Sequence, residues 1–186
     1  MRTRSLLLIA APTVLVLVAA MLVASTAASG TDAPRRPECT ITGTDGNDEL
    51  HGTTGPDVIC ARGGNDDVFG RGGDDVIFLG SGADAFFAGA GDDRVYAGGG
   101  RDNGITGRGD DRVFLQGGHD WVGNESSGAD RLAGGTGGDC LLAEDGRGND
   151  RLFGGPGRDR ADADTGDVVR SAEFGPTVSC GDEPAP

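Results

Sequence analysis

Thirteen aspartates recur along the chain at nearly constant spacing: Asp48, Asp57, Asp66, Asp75, Asp84, Asp93, Asp102, Asp111, Asp120, Asp130, Asp139, Asp150 and Asp159. A glycine stands two residues before each of them, from Gly46 to Gly157. Two residues after comes an apolar side chain, from Leu50 to Ala161, with Gly104 the clear exception. A carboxylate is a hard oxygen donor. With the carbonyls of a glycine-rich turn it makes a ligand set suited to Ca2+, which takes six to eight oxygens in flexible geometry. Mg2+ demands stricter octahedral geometry and keeps its water. No thiol or imidazole recurs with the period, so zinc is disfavoured.

The elements that position these carboxylates follow from the period. Six positions of each unit are glycine-rich and permit left-handed backbone angles and close chain approach, so they are expected to form a tight turn. The remaining three are apolar, β-branched or aromatic, and read as a short strand. In the unit Gly70–Phe78, alternation points Ile77 inward and Val76 and Phe78 outward. Two turns and two strands close a flattened coil of eighteen residues, and coils stack as parallel strands ~4.8 Å apart. The fold class is therefore all-β, a parallel β-solenoid of nine-residue repeats.

Stacking sorts the aspartates into two columns. Asp66, Asp84, Asp102 and Asp120 fall on one edge, and Asp57, Asp75, Asp93 and Asp111 on the other. Carboxylates at such a spacing repel by roughly 3 kcal/mol per neighbouring pair at an effective dielectric of 20, unless cations lie between coils. The competing reading is turn chemistry alone, because aspartate caps turns through its own backbone. Asparagine or serine would serve a turn equally well, and neither appears at any of the thirteen positions.

Composition agrees. Glycine is 36 of 186 residues, net charge is −14 and aromatics are 5%. So little apolar area leaves a non-repetitive chain disordered. The acidic balance argues against nucleic acid and anionic membrane surfaces.

Residues 1–29 read as a secretory signal. Arg2 and Arg4 precede an apolar stretch from Leu6 to Ala24, followed by small residues to Gly30. The alternative is an uncleaved anchor, since the stretch is just long enough to span a bilayer. Either way the repeats are expected outside the cytoplasm, with no membrane insertion of the mature chain. All four cysteines lie beyond this segment, and in an oxidising compartment an even count suggests disulfides. Three pairings exist. The coil geometry favours Cys39–Cys60 and Cys140–Cys180, each clamping one end of the solenoid.

The repeat resembles the RTX calcium-binding nonapeptide Gly-Gly-x-Gly-x-Asp-x-apolar-x, over about residues 43–162. The resemblance implies a right-handed parallel β-roll with several Ca2+ ions between turns. They would be held by the thirteen aspartate carboxylates and by turn carbonyls. Departures are visible. The second glycine is present at Gly80, Gly89, Gly98, Gly107, Gly135 and Gly155, but is Thr44, Thr53, Arg62, Arg71 or Gln116 elsewhere. The spacing stretches by one residue between Gly118 and Gly128 and by two between Gly137 and Gly148. The best sites are expected in the fifth to eighth units. Irregular or empty ones are expected near Asn124–Ser127 and Glu144–Arg147.

Large apolar groups also recur, at Phe69, Phe78, Phe87, Tyr96, Ile105 and Phe114. By alternation they face outward, three on each sheet, either as stacked ladders that stiffen the sheets or as a surface for a cell-wall, glycan or protein partner. Trp121 could join them. No Gly-x-Ser-x-Gly, His-Glu-x-x-His or paired-glutamate motif is present, and the reading is of a non-enzyme. Residues 30–42 read as an N-terminal cap. Residues 163–186 read as a C-terminal cap and tail, with Val168, Val169, Phe174, Val178 and Cys180 closing the open strand edges.

Overall fold

A computed structural model describes residues 37–124, 127–147 and 149–170. The expected leader at residues 1–29 lies outside these, as do Phe174, Val178 and Cys180. Every regular element among the described residues is a strand, and every pairing between strands is parallel. Odd strands form an eight-stranded sheet: Ile41–Thr42, Val58–Gly63, Val76–Ser81, Arg94–Gly100, Arg112–Gly118, Arg131–Gly137, Arg151–Phe153 and Val168–Arg170. Even strands form a seven-stranded sheet: Glu49–His51, Asp67–Phe69, Ala85–Ala90, Asn103–Arg108, Trp121–Asn124, Cys140–Ala143 and Arg160–Ala163. The chain alternates between the sheets through tight turns, which makes a β-roll.

Register follows the repeat. Val76 pairs with Arg94 and Arg94 with Arg112, eighteen residues apart. The inserted residues change the step and leave the alignment intact. Arg112 pairs with Arg131 and Arg131 with Arg151, so nineteen and twenty residues close those coils.

The strands are longer than expected. Those in the middle of the roll run six or seven residues, leaving about three for each turn. The reason is that the second glycine of the repeat does not leave the ladder. Gly80 and Gly98 have φ of +119° and +112° and still pair with each other. At Gly98 a Cβ would lie 1.9 Å from the carbonyl oxygen of Gly80, so only glycine allows that approach.

Longer strands give each unit a second inward position. Ile77 and Leu79, Val95 and Ala97, and Val113 and Leu115 alternate along their strands and are fully buried. Sequence reading placed only the first of each pair inside. Gly104 is filled from its neighbour: it pairs with Phe86, and a Cβ there would fall 2.1–2.3 Å from the Phe86 ring. One oversized side chain thus covers the one missing side chain.

The cysteine expectation holds at the first end, where Cys39 and Cys60 form a disulfide. Cys140 is also disulfide-bonded, and Cys180 lies outside the described residues. The roll continues past the expected boundary at residue 162, because Val168–Arg170 pairs with Arg151–Phe153 as the last strand of its sheet.

Candidate metal centre

Each turn delivers its aspartate to the start of the next strand, with the side chain turned inward. Eleven of the thirteen are at most 2% exposed; Asp57, at the first end, is 8% exposed, and Asp48 is partly buried. They make two continuous columns joined by hydrogen bonds. On the first edge the backbone N–H of Asp48 donates to Oδ1 of Asp66, and the pattern runs through Asp84, Asp102, Asp120 and Asp139 to Asp159, at 2.8–3.1 Å. On the second edge it runs from Asp57 through Asp75, Asp93, Asp111 and Asp130 to Asp150, at 2.6–2.8 Å.

This ladder uses one carboxylate oxygen. The other is the chemically informative one. Oδ2 of Asp66, Asp75, Asp84, Asp93, Asp102, Asp111, Asp120, Asp130, Asp139 and Asp159 is buried with no hydrogen-bond partner. A buried anionic oxygen without a partner is costly, and a recurring set of them calls for a ligand. At Gly70 the vacant Cβ position lies 2.7 Å from Oδ2 of Asp75 and 2.2 Å from the carbonyl oxygen of Ala88 on the next coil. Gly134 repeats this with Asp139 Oδ2 at 2.5 Å and the Gly154 carbonyl at 2.6 Å. Carboxylate and main-chain oxygens therefore converge, a hard donor set that fits calcium. Among the described residues no three His, Cys, Asp or Glu side chains cluster as a metal site.

Electrostatics single out the same groups. Burial pushes the carboxyls of Asp93, Asp102 and Asp130 up to about 7 and that of Asp111 up to about 8. The ladder hydrogen bond pulls each back, and neighbouring carboxylates raise it again. Asp75, Asp120 and Asp150 rise to about 6 for the same first reason, burial. A cation at these positions would replace the proton.

Three of the thirteen differ. Oδ2 of Asp48 accepts from the backbone N–H and hydroxyl of Thr44, at 2.6 and 2.9 Å. Oδ2 of Asp57 accepts likewise from Thr53, at 2.7 and 2.9 Å, and the Thr53 backbone N–H holds that carboxyl below its usual value. At this end, where threonine replaces the second glycine, turn chemistry occupies the Oδ2 atom of both aspartates. Asp150 Oδ2 meets the buried amide of Asn124 at 3.4 Å.

The stretched spacers do not interrupt the columns, since the rungs from Asp111 to Asp130 and from Asp139 to Asp159 span them. Sequence reading missed Asp167, whose Oδ1 accepts the Asp150 N–H at 3.0 Å and extends the second column. Its signal was Gly166-Asp167-x-Val169, with the glycine one residue closer than in the other units. Asp145, within a stretched spacer, also carries a buried Oδ2 without a partner.

The outward aromatics lie where alternation put them. Phe78, Tyr96 and Phe114 stack with ring centroids 5.1 and 5.2 Å apart. On the other sheet Phe69 and Phe87 are 39% and 44% exposed, and His51 stacks on Phe69 at 5.0 Å. Trp121 lies over Gly123. Among the described residues no helix is long and apolar enough to cross a membrane.

The model of the RTX calcium-binding nonapeptide repeat matches residues 42–77, 69–103, 78–113, 96–122 and 142–168. No curated protein matches the chain. The matched segments cover more than half of the sequence and every aspartate of the two columns except Asp130 and Asp139, and the buried carboxylate ladder is consistent with calcium binding by such repeats. The chain belongs to the RTX calcium-binding nonapeptide repeat family.

Proposed function

We propose that this is an exported, non-catalytic calcium-binding β-roll in which metal binding is coupled to folding. The observation that carries the reading is the set of ten buried Oδ2 atoms without partners, aligned in two columns. A cation between successive coils would take one such oxygen from each and complete its shell with turn carbonyls. Counted as intervals between neighbouring unpartnered carboxylates, the first edge offers five sites, from Asp66 to Asp159. The second offers three, from Asp75 to Asp130. Without metal those buried carboxyls ionise only at the expense of the fold, and the roll would lose stability as pH rises through about 7 to 8. Affinities of extracellular modules, on the order of 10⁻⁴–10⁻³ M, suit a chain that folds on meeting calcium outside the cell. The apolar leader with its small-residue end and the Cys39–Cys60 disulfide support export.

Two measurements test this. Native mass spectrometry of the calcium-loaded chain should count about eight ions, and circular dichroism should show β structure that EDTA removes. Equal β content with calcium and with EDTA would sink the coupling to folding. A count of none or one would sink the assignment of the columns as sites.

A further inference from the structure

The outer face of the eight-stranded sheet carries a column that calcium binding does not use. The residue directly after the aspartate is arginine on four consecutive strands, Arg94, Arg112, Arg131 and Arg151, and these pair directly in register. All four are exposed. Among the described residues none lies within ion-pair distance of a carboxylate. Like charges directly opposite on neighbouring strands oppose sheet pairing. The exposed acids nearest in sequence, Asp92 and Asp110, carry their own outer rungs and make no ion pair with this column. On the other sheet the same register reads Glu49, Asp67, Ala85, Asn103, Trp121 and Cys140, so the feature belongs to one face.

A second column runs beside the first. Two residues along the same strands, on the same outer side, Tyr96 and Phe114 continue the stack begun by Phe78. Ala133 interrupts the row on the next strand, and Phe153 follows it, with the Arg131 guanidinium 5.8 Å from the Phe153 ring centroid. We propose that this face binds an extended acidic polysaccharide lying along the roll axis. Its carboxylates would meet successive guanidiniums and its sugar rings would lie on the aromatic column. Guanidinium forks match carboxylates, and the strand spacing of ~4.8 Å sets a row of charges one per coil. The basic strip is single-file, and the exposed acidic row Asp74, Asp92 and Asp110 runs along its edge. A nucleic-acid duplex, with one charge per ~1.7 Å of axis, would overhang that acidic row and be repelled. A second copy could offer its exposed row Asp74, Asp92 and Asp110, but that row has no ring faces to meet the aromatics.

The test uses the full calcium-loaded chain. Isothermal titration with a short oligogalacturonate is compared with a neutral maltodextrin of equal length, for the native protein, Arg112→Glu/Arg131→Glu and the off-column control Arg62→Glu. The native chain and the control should bind the uronate and not the neutral glycan, with affinity falling as salt rises. The double variant should lose at least tenfold in affinity, consistent with loss of charge-assisted contacts, while its circular dichroism and calcium count stay unchanged. Undiminished binding by the double variant would overturn the proposal, as would equal binding of the neutral glycan or no uronate binding by the folded native chain. Equal binding of a single-stranded oligonucleotide would also overturn it. So would a native dimer that the double variant abolishes in sedimentation, which would make the face a self-contact.

Discussion

Replacing the Phe86–Gly104 pair tests the packing that holds the first column in line. Inward residues of the seven-stranded sheet run Leu50, Val68, Phe86, Gly104, Val122, Leu141 and Ala161, one per coil. The Phe86 ring occupies the space that a side chain at Gly104 would fill, with ring carbons 2.1–2.3 Å from the vacant Cβ position. Phe86→Ala removes a ring that is only 5% exposed and opens a cavity over two coils, at a cost of about 3–5 kcal/mol. Gly104→Val drives its methyls into that ring and costs about 1–3 kcal/mol or more, because the backbone of neighbouring coils cannot move aside. The double substitution Phe86→Ala/Gly104→Val exchanges the large and the missing side chain, so that the new valine fills the space the ring leaves. It should recover most of the loss, for a coupling of at least about 2 kcal/mol between the two sites. Urea unfolding in saturating calcium measures all four proteins, read by β-sheet dichroism. Additive losses in the double variant would refute the argument, because the exchange of volume between coils would then not exist.

Removing calcium should make stability depend on pH with an unusual sign. In the metal-free fold Asp93, Asp102, Asp111 and Asp130 keep protons up to about pH 7 to 8, while the unfolded chain releases them near 3.8. The folded state binds more protons between those limits, so its stability is fully present below about pH 4 and is lost as pH rises through about 7. In EDTA the folding constant should fall about tenfold per pH unit for each carboxyl titrating; β content that rises with pH in EDTA would contradict this. Thr53→Val should raise the Asp57 carboxyl pKa by removing the 2.9 Å hydroxyl contact, cost about 1 kcal/mol and leave the calcium count unchanged; nuclear magnetic resonance titration and native mass spectrometry read both. Replacing Cys39 and Cys60 by serine, which opens a link across 21 residues and leaves the Cys140 disulfide in place, should cost about 3 kcal/mol in the calcium-loaded state, seen as an earlier urea midpoint.

What the sequence disclosed depended on whether a feature kept the period. The two columns, the parallel stacking and the alternation of Val76, Ile77 and Phe78 follow from a strict repeat, and the structure has all three. The second inward position was hidden because the turn consensus hides it. Leu79 and Leu115 sit where the consensus has glycine, so they looked like departures in a turn, although the alternation Ile77-x-Leu79 was already the mark of a continuing strand. Asp167 was missed because its step from Asp159 is eight residues and its glycine adjoins it. The arginine column was obscured differently. Its members lie eighteen, nineteen and twenty residues apart, and only the register shows that the extra residues are absorbed in turns.

The division of labour between the two oxygens of each aspartate decides between turn chemistry and metal binding. If the inner positions served only to cap turns, an amide would do, because a rung needs a single acceptor. This chain shows as much on its own outer surface. There the N–H of Asn65 donates to Oδ1 of Asn47, and the N–H of Ala83 to Oδ1 of Asn65, at 2.9 Å. On the opposite edge Asp74 and Asp92 play the same part toward Asp92 and Asp110, at 3.0 Å. Outer rungs therefore accept asparagine or aspartate. Inner rungs, at thirteen positions, are aspartate alone. The inner positions bury the second atom, and an amide nitrogen there would be a donor facing carbonyls and carboxylates with no room for a cation. Only a second anionic oxygen makes burial of both atoms worthwhile, and only when something positive reaches it. At Asp48 and Asp57 that something is a pair of threonine donors. At ten of the positions that follow, the protein supplies none, which is the observation behind the calcium sites proposed above.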